Sequence, residues 1–459
     1  MRPIRTVLIA NRGEIALRVA RTCREMGIRV VAVHSTADRD SAVVDFADES
    51  VHIGPPAARR SYLYMPNLIE AALRHGVDAI HPGYGFLSED PDFAQVCADN
   101  GIAFIGPPPA VMTELGDKSR VRALMADAGL PVLPGSDGTV ATVEEAQDIG
   151  DRIGYPQVVK AAAGGGGRGI EIVSAAVDLP EVFRRTTAFA RQVFGNADVY
   201  LERYVAAARH VEVQLLADSR GTVVHLGERD CSLQRRNQKL VEESPSPLLP
   251  AKVRARLGDY AVAGARALGY VGAGTMEFLV DPSGTVTFME INGRIQVEHP
   301  VTEMLTGLDV VREQILVAQG HPLSFDQASV RMDGVAIECR VNAEDPSANF
   351  RPTPGRLERF HVPGGPGTRV DAGFRQGDTV PANYDSLVAK LVVWAPTRQE
   401  ALARADRALG EFVISGPGVA TTIPLLRTLL AHPSFGDATH TTKFVDELMS
   451  GHVLTPWVA

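Results

Sequence analysis

GTMEFLVDPSGTVTFMEINGRIQVEHPVT, from Gly274 to Thr302, is the stretch whose reading decides the fold. Met276 to Val280 is apolar apart from Glu277, Asp281-Pro282-Ser283-Gly284 is a turn signal, and Thr285 to Ile291 is a return strand interrupted only at Glu290. The turn sets Glu277 and Glu290 within about two residues of being cross-strand neighbours. Two bare carboxylates that close repel, and burying them needs a cation or a proton between them. A surface hairpin with ordinary salt bridges is the simpler alternative, but the flanking residues are too apolar for a solvated hairpin. A dense polar run follows: Asn292, Arg294, Gln296, Glu298 and His299.

Working outward, 459 residues suggest two to four domains with ample core. The net charge of −9 argues against a nucleic-acid protein, whose signature is a basic balance, so local Arg and Lys clusters need local ligands. Cys23, Cys97, Cys231 and Cys339 are widely spaced and form no CxxC, which argues against a disulfide framework or zinc site and fits a reducing compartment. No run of 18 apolar residues occurs, so no membrane span is expected. The N-terminus reads as a first strand and not a signal peptide.

Thr6 to Ala10, Glu14 to Met26 and Arg29 to His34 form a βαβ opening and predict a parallel sheet. Asp38 falls near where a ribose-binding acid would sit, yet the Asn11-Arg12-Gly13 turn has one glycine and no GxGxxG, so a dinucleotide site is disfavoured. Strands at Val77 to Ile80 and Ile102 to Ile105 continue the sheet, and the glycine-rich loop from His81 to Glu89 follows a strand C-terminus, where ligands bind in open α/β sheets. Ala110 to Ala128 reads as one helix, and Leu130 to Ser136 as a linker. From 132 to 204 the pattern is a small inserted α+β unit. Strands dominate from His210, the charged segment RDCSLQRRNQKLVEESPSP reads as a loop, and Thr302 to Gln319 reads as a helix. The remainder is β-rich and ends in amphipathic helices near 397–412 and 419–431.

The loop Gly164-Gly165-Gly166-Gly167-Arg168-Gly169 offers backbone N–H groups and close approach to an anion. It is not a Walker P-loop, since no GxxxxGK[ST] occurs; a lid over nucleotide phosphates fits better than a plain hairpin tip. Lys160, ending the strand before it, and Lys118 can meet phosphate as point charges. Glu277, Glu290 and Asn292 supply hard oxygen ligands for magnesium. Together these features point to nucleotide phosphoryl transfer.

The chain also resembles biotin carboxylase, a family of the ATP-grasp superfamily. ANRGEIA, HSTADRD, IHPGYGFLSE, GDKS, KAAAGGGGRGI, RHVEVQ, ERDCSLQRR, GAGTMEFL, RIQVEHPVTE, ECRVNAEDP, PTPG and YDSLVAKL match the family's motifs in order, nearly end to end. The resemblance implies an α/β and α+β architecture: a Rossmann-like (pre-ATP-grasp) domain at 1–115, an ATP-grasp domain at 116–320 with a mobile glycine-rich lid at about 132–204, and a β-rich C-terminal domain at 331–445. It implies ATP contacts from Lys118, Lys160, Gly165, Gly166, Gly167, Glu202, Val205, His210, Gln234, Asn237 and Leu279. Glu277, Glu290 and Asn292 would hold two Mg²⁺ or Mn²⁺ ions. Lys239, Arg294, Gln296, Val297 (through its backbone) and Glu298 would bind bicarbonate, and Tyr84 and Arg340 would face biotin. Arg294, Glu298, Lys239 and Arg340 would be the catalytic group, with Glu298 as general base.

The implied activity is ATP- and bicarbonate-dependent carboxylation of biotin on a separate biotin carboxyl carrier protein, as the first half-reaction of an acetyl-CoA or acyl-CoA carboxylase in cytoplasmic fatty acid biosynthesis. A subunit of a pyruvate or other carboxylase, and a non-catalytic nucleotide-binding paralogue, are the alternatives. No Met-Lys pair occurs to carry biotin, so carrier and carboxyltransferase subunits are expected on other chains, with neither nucleic acid nor membrane as partner. A homodimer is implied through Arg21, Glu25 and Arg369, with Pro366 standing where one branch has an aromatic. Two departures bear on the nucleotide: Asn237 stands where many relatives carry histidine, and Gly416 to Thr422 differs from the family's usual stretch, predicting a changed adenine-proximal wall.

Overall fold

The structure is a computed structural model and describes residues 3–162, 169–452 and 454. The βαβ opening forms β1 (Thr6–Ile9), a helix (Gly13–Glu25), β2 (Arg29–Ser35) and β3 (Glu49–Gly54), joined by β4 (Ala79–His81) and β5 (Ala103–Phe104). These make an all-parallel sheet in the order β3-β2-β1-β4-β5. Its central strands are short, apolar and buried on both faces, as a helix-covered parallel sheet requires.

The predicted helix at 110–128 is two helices, Pro109–Gly116 and Lys118–Asp127. Asp117 takes an extended backbone between them and caps the second by accepting from the Arg120 amide, leaving Lys118 at its first turn. A small unit follows: β6 (Gln157–Ala161), β7 (Ile170–Val173) and β8 (Val199–Arg203) in the order β7-β6-β8, backed by helices Val143–Ile153 and Leu179–Phe194.

The largest element is one eight-stranded sheet. Its strands are β9 (Arg209–Ala217), β10 (Val223–Arg235), β11 (Gln238–Ser244), β12 (Gly272–Val280), β13 (Val286–Asn292), β14 (Val335–Asn342), β15 (Thr368–Ala372) and β16 (Leu387–Ala395), in the order β13-β12-β9-β10-β11-β14-β16-β15. The segment read as a charged loop is therefore the β10–β11 hairpin. Its tip, Arg236-Asn237, has φ 48 and 64, a left-handed pair in which asparagine is among the better non-glycine residues. The charges misled because Arg229 and Asp230 are buried and paired across the sheet, not solvated.

Along β9, Val211, Val213 and Leu215 pack with Met276 and Phe278 of β12 under the helix Ala251–Ala267. The alternate residues, His210, Glu212 and Gln214, take the opposite face, because successive strand side chains alternate. The predicted helix at 302–319 is likewise two, His299–Thr306 and Val310–Ala318, separated by left-handed Gly307 and the Asp309 cap. Helices Arg398–Glu411 and Ile423–Ala431 cover the far end of the sheet.

Candidate functional site

The site begins with register. Glu290 of β13 lies opposite Glu277 of β12, Glu277 opposite Glu212 of β9, and Glu212 opposite Arg229 of β10. Four adjacent strands thus carry one continuous polar row on one face. Isolated buried carboxylates would be prohibitive, and the row persists because cations interleave it. Arg229 donates through Nε to Glu212 Oε1 at 2.7 Å and through Nη1 to Gln214 and Thr302 at 2.8 Å. His210 Nε2 lies 2.8 Å from Glu277 Oε2, and Asn292 Nδ2 donates to Glu277 Oε1 at 2.8 Å. Glu290 meets Lys118 Nζ at 3.4 Å.

Lys239 of β11 continues the network. Its Nζ is 2.7 Å from Glu212 Oε2, 2.5 Å from Glu298 Oε1 and 3.5 Å from Glu277 Oε1. Arg340 of β14 donates to Glu242 Oε1 at 2.6 Å and to Glu298 Oε2 at 2.9 Å. Burial pushes the Glu298 carboxyl up, but Lys239, Arg340 and Arg229 outweigh it and hold it well below the usual carboxylate range. Burial likewise opposes ionisation of Glu277, and Lys239 and His210 override it, so it too is depressed. Burial prevails at Glu212, whose carboxyl is raised. Neighbouring acids pushed in opposite directions are the arrangement acid–base chemistry uses.

A cavity of about 1080 Å³ opens over this network. Lys160, Ile170, Ile172 and Tyr200 line it from the small three-stranded unit; His210, Lys239, Glu277, Leu279, Glu290 and Asn292 from the large sheet; and Arg12, Tyr84 and Phe86 from the parallel-sheet side. Val205, Gln234, Asn237, Arg294, Gln296, Val297 and Arg340 also line it, as does Lys118. Lys160 Nζ contacts Glu202 Oε2 at 2.5 Å; burial opposes the ammonium, but Glu202 and Tyr200 hold it above its ordinary value. Arg294 donates to Gln296 Oε1 at 2.9 Å. The Val297 carbonyl accepts from Lys390 Nζ at 2.8 Å, and the Tyr84 hydroxyl donates to Glu14.

Two expectations change here. Glu298 does not line the cavity: it is fully buried, one layer beneath, screened by its contacts to Lys239 and Arg340. Gly416 to Thr422 does not form a wall near the nucleotide end; Thr422 Oγ1 caps β14 by accepting from the Asn342 amide at 3.0 Å, and Thr442, Lys443 and Asp446 line the cavity instead. Gly165, Gly166 and Gly167 lie outside the described residues. Arg21 and Glu25 are exposed one turn apart, whereas Arg369 is tied to Glu303 and Asp371.

Glu212, Arg229, Glu242, Glu89, Glu14 and Lys390 escaped the sequence reading. The Glu89 carboxylate accepts from Arg294 Nε and the Gly293 amide, both at 2.9 Å, and Lys390 Nζ is 3.0 Å from Glu14. Glu212 was findable: in HVEVQ it alternates with valines, the signature of a strand with one polar face.

A divalent cation fits this chemistry. Glu277 and Glu290 are cross-strand neighbours on the cavity wall, and Asn292 adds an amide oxygen on the same side. Among the described residues, ligand atoms of His210, Glu212 and Glu277 also lie within 4.8 Å of one another, but Arg229 and Lys239 already occupy Glu212.

Comparison with known proteins gives a consistent result along the chain. Family models match for the biotin carboxylase N-terminal domain (residues 3–112), the carbamoyl-phosphate synthase L chain ATP-binding domain (117–325) and the biotin carboxylase C-terminal domain (338–447). Biotin carboxylase of Nostoc sp. is 52% identical over 442 residues, covering 96% of this chain and 98% of the relative. The biotin carboxylase–βγ-ATP complex from Campylobacter jejuni superposes with a TM-score of 0.95 at 45% identity, over 97% of this chain and 99% of that one. The biotin carboxylase domain dimer of Hydrogenobacter thermophilus 2-oxoglutarate carboxylase, solved with MgADP, ADP and bicarbonate, gives 0.94 at 46% identity, over 97% and 98%.

Proposed function

The chain belongs to the biotin carboxylase family of ATP-dependent ligases, and from that premise we propose that it carboxylates biotin on a separate carrier protein through carboxyphosphate. The observation that carries this reading is convergence: Lys118, Lys160, the Glu277–Glu290 pair, Lys239, Arg294 and Arg340 all line one cavity. We assign 1–115, 116–320 (lid about 132–204) and 331–445 as its domains, the last two sharing the eight-stranded sheet through the β11–β14 pairing.

ATP binds with its phosphates and ribose toward Lys118, Lys160 and His210, and its base toward Glu202 and Val205, with Gln234 and Leu279 nearby. Glu277, Glu290 and Asn292 would hold two Mg²⁺ (or Mn²⁺) ions, which would neutralise charge accumulating on the β- and γ-phosphates. Bicarbonate binds between Lys239, Arg294, Gln296 and the Val297 backbone. Its negative charge competes with Glu298 for Lys239 and Arg340. Drawing Lys239 and Arg340 toward bicarbonate uncovers Glu298 from beneath and raises its proton affinity, otherwise too strongly depressed for a good base, so that it can take the hydroxyl proton. The deprotonated oxygen attacks the γ-phosphorus, releasing ADP and forming carboxyphosphate. Carboxyphosphate breaks to CO₂ and phosphate, the phosphate takes the ureido N1 proton of biotin, and N1 then attacks CO₂ to form carboxybiotin. Arg340 stabilises the oxygen that becomes enolate-like, and Tyr84 flanks the ring.

An acetyl-CoA carboxylase in cytoplasmic fatty acid synthesis is the preferred setting, with a carrier protein, a carboxyltransferase and a homodimer of this chain. The Hydrogenobacter relative supports a second reading, a 2-oxo acid carboxylase. Among the described residues no helix is long and apolar enough to cross a membrane. ADP release with bicarbonate, measured with and without free biotin, tests the reaction: biotin stimulation is expected, and its absence refutes the assignment.

A further inference from the structure

Behind Arg340 lies a carboxyl pair that the reaction above does not use. Glu242 of β11 and Glu338 of β14 are direct cross-strand partners, and both are fully buried. Glu242 Oε1 accepts from Arg340, but among the described residues Glu242 Oε2 and both oxygens of Glu338 have no hydrogen-bond partner. The surrounding cations are already committed: Arg340 to Glu242 and Glu298, Lys239 to Glu212 and Glu298, and Lys390 to Glu14. The helix His299–Thr306 packs Val301 and Leu305 over this part of β14, and its His299 is held neutral by burial. Lys390 and Arg340 favour a charge on Glu338 from a distance, but burial outweighs them, and among the described residues no cation forms an ion pair with it. Two buried carboxyls side by side without a free cation avoid repulsion by keeping one proton between them.

We propose that Glu242 and Glu338 share a single proton, so that Glu338 stays neutral and Glu242 carries the one charge that positions Arg340. Burial raises both carboxyls, Glu338 well above its ordinary value and Glu242 to about 7, in keeping with the geometry. Glu338 touches no substrate and acts through Glu242, which fixes the guanidinium from behind. While Glu298 holds the other side of Arg340, the guanidinium is bridged. Once Glu298 takes a proton, Glu242 remains its sole anionic partner and one edge is released toward the cavity. A second charge on Glu338 would hold the guanidinium back. The pair therefore sets an alkaline limit on the step that uses Arg340, a consequence that rests on the biotin reading above.

Two measurements test this on the full-length protein. Infrared difference spectroscopy of wild type against Glu338→Gln at neutral pH should show a protonated carboxylic C=O band that is lost in the variant; no such band overturns the shared proton, whatever the substrate proves to be. The pH profile of biotin-dependent turnover should lose or shift its alkaline limb in Glu338→Gln, while bicarbonate-dependent ADP release without biotin keeps its profile within about twofold. An unchanged alkaline limb, with the band present, overturns the positioning role. If Glu338→Gln does not fold, Glu338→Asp decides the first point: the band should shift in frequency in that variant, and an unshifted band overturns the assignment.

Discussion

The parallel and antiparallel sheets of this molecule obey opposite rules about charge. In the five-stranded sheet, β1 and the centre of β2 are apolar on both faces, and the polar groups that matter, Asn11, Arg12 and Tyr84, sit in loops beyond strand ends. In the eight-stranded sheet, Glu290, Glu277, Glu212 and Arg229 run across the middle of the strands. The first sheet gains stability from apolar burial and places its chemistry at the rim. The second embeds its chemistry in the scaffold, where each charge is tolerable only while its partner is present.

The largest effect is expected from breaking the row at its cavity end. Glu290→Gln should lower turnover on the order of 10²–10⁴-fold with an unchanged unfolding midpoint, measured by ADP release and urea denaturation. Near-normal activity would remove Glu290 from the metal-holding set. Arg340→Ala should depress biotin carboxylation about 10²-fold further than it depresses ATP cleavage with bicarbonate alone; equal loss of both would end its assignment to the biotin step.

Stability then distinguishes the sheets. Arg229→Met leaves Glu212 buried against fewer cations and should cost about 3–5 kcal/mol. Leu8→Ala in β1 should cost about 2–5 kcal/mol, but through a cavity, and so without pH dependence. If the Arg229→Met loss is equally independent of pH, the charge argument for the antiparallel sheet fails.

The smallest effect concerns Glu228 of β10, whose carboxyl burial pushes up to about 7, against Arg254 and the Ser246 amide. A carboxyl raised on folding is most compatible with the native state while protonated. Wild type should therefore lose stability, relative to Glu228→Gln, by about 3 kcal/mol as pH rises from the unfolded carboxyl value to about 7, with no further loss above. Glu277 and Glu298 carry the opposite sign: their depressed carboxyls stabilise the fold above the unfolded carboxyl pKa, and that stability fades as pH falls. Urea titrations across pH separate the two.

The fold was legible wherever periodicity and burial agree. The βαβ opening and the Glu277–Glu290 hairpin follow from local pattern, and the hairpin register proved to be direct opposition. Reading failed where charge was taken for exposure, as in the β10–β11 hairpin, and where a single Asp or Gly divided a helix, at Asp117 and Gly307. At the site, many of the residues lining the cavity follow from local motifs, but Thr442, Lys443 and Asp446 line it from a distant segment, and Glu212, Glu242, Glu89 and Lys390 stand behind it.

By itself the sequence determined the parts: a parallel α/β opening, a glycine loop beside Lys160, and two acids in one hairpin aimed at phosphate chemistry. Those are local properties, set by spacing along the chain. Tertiary structure alone decided that Glu298 lies beneath the cavity and that Arg340 stands between it and Glu242. It alone seated Glu338 beside Glu242 with no hydrogen-bond partner for either Glu338 oxygen among the described residues. The physical reason is that the charge state of a buried acid depends on which distant strands close around it, and no spacing within one segment encodes that.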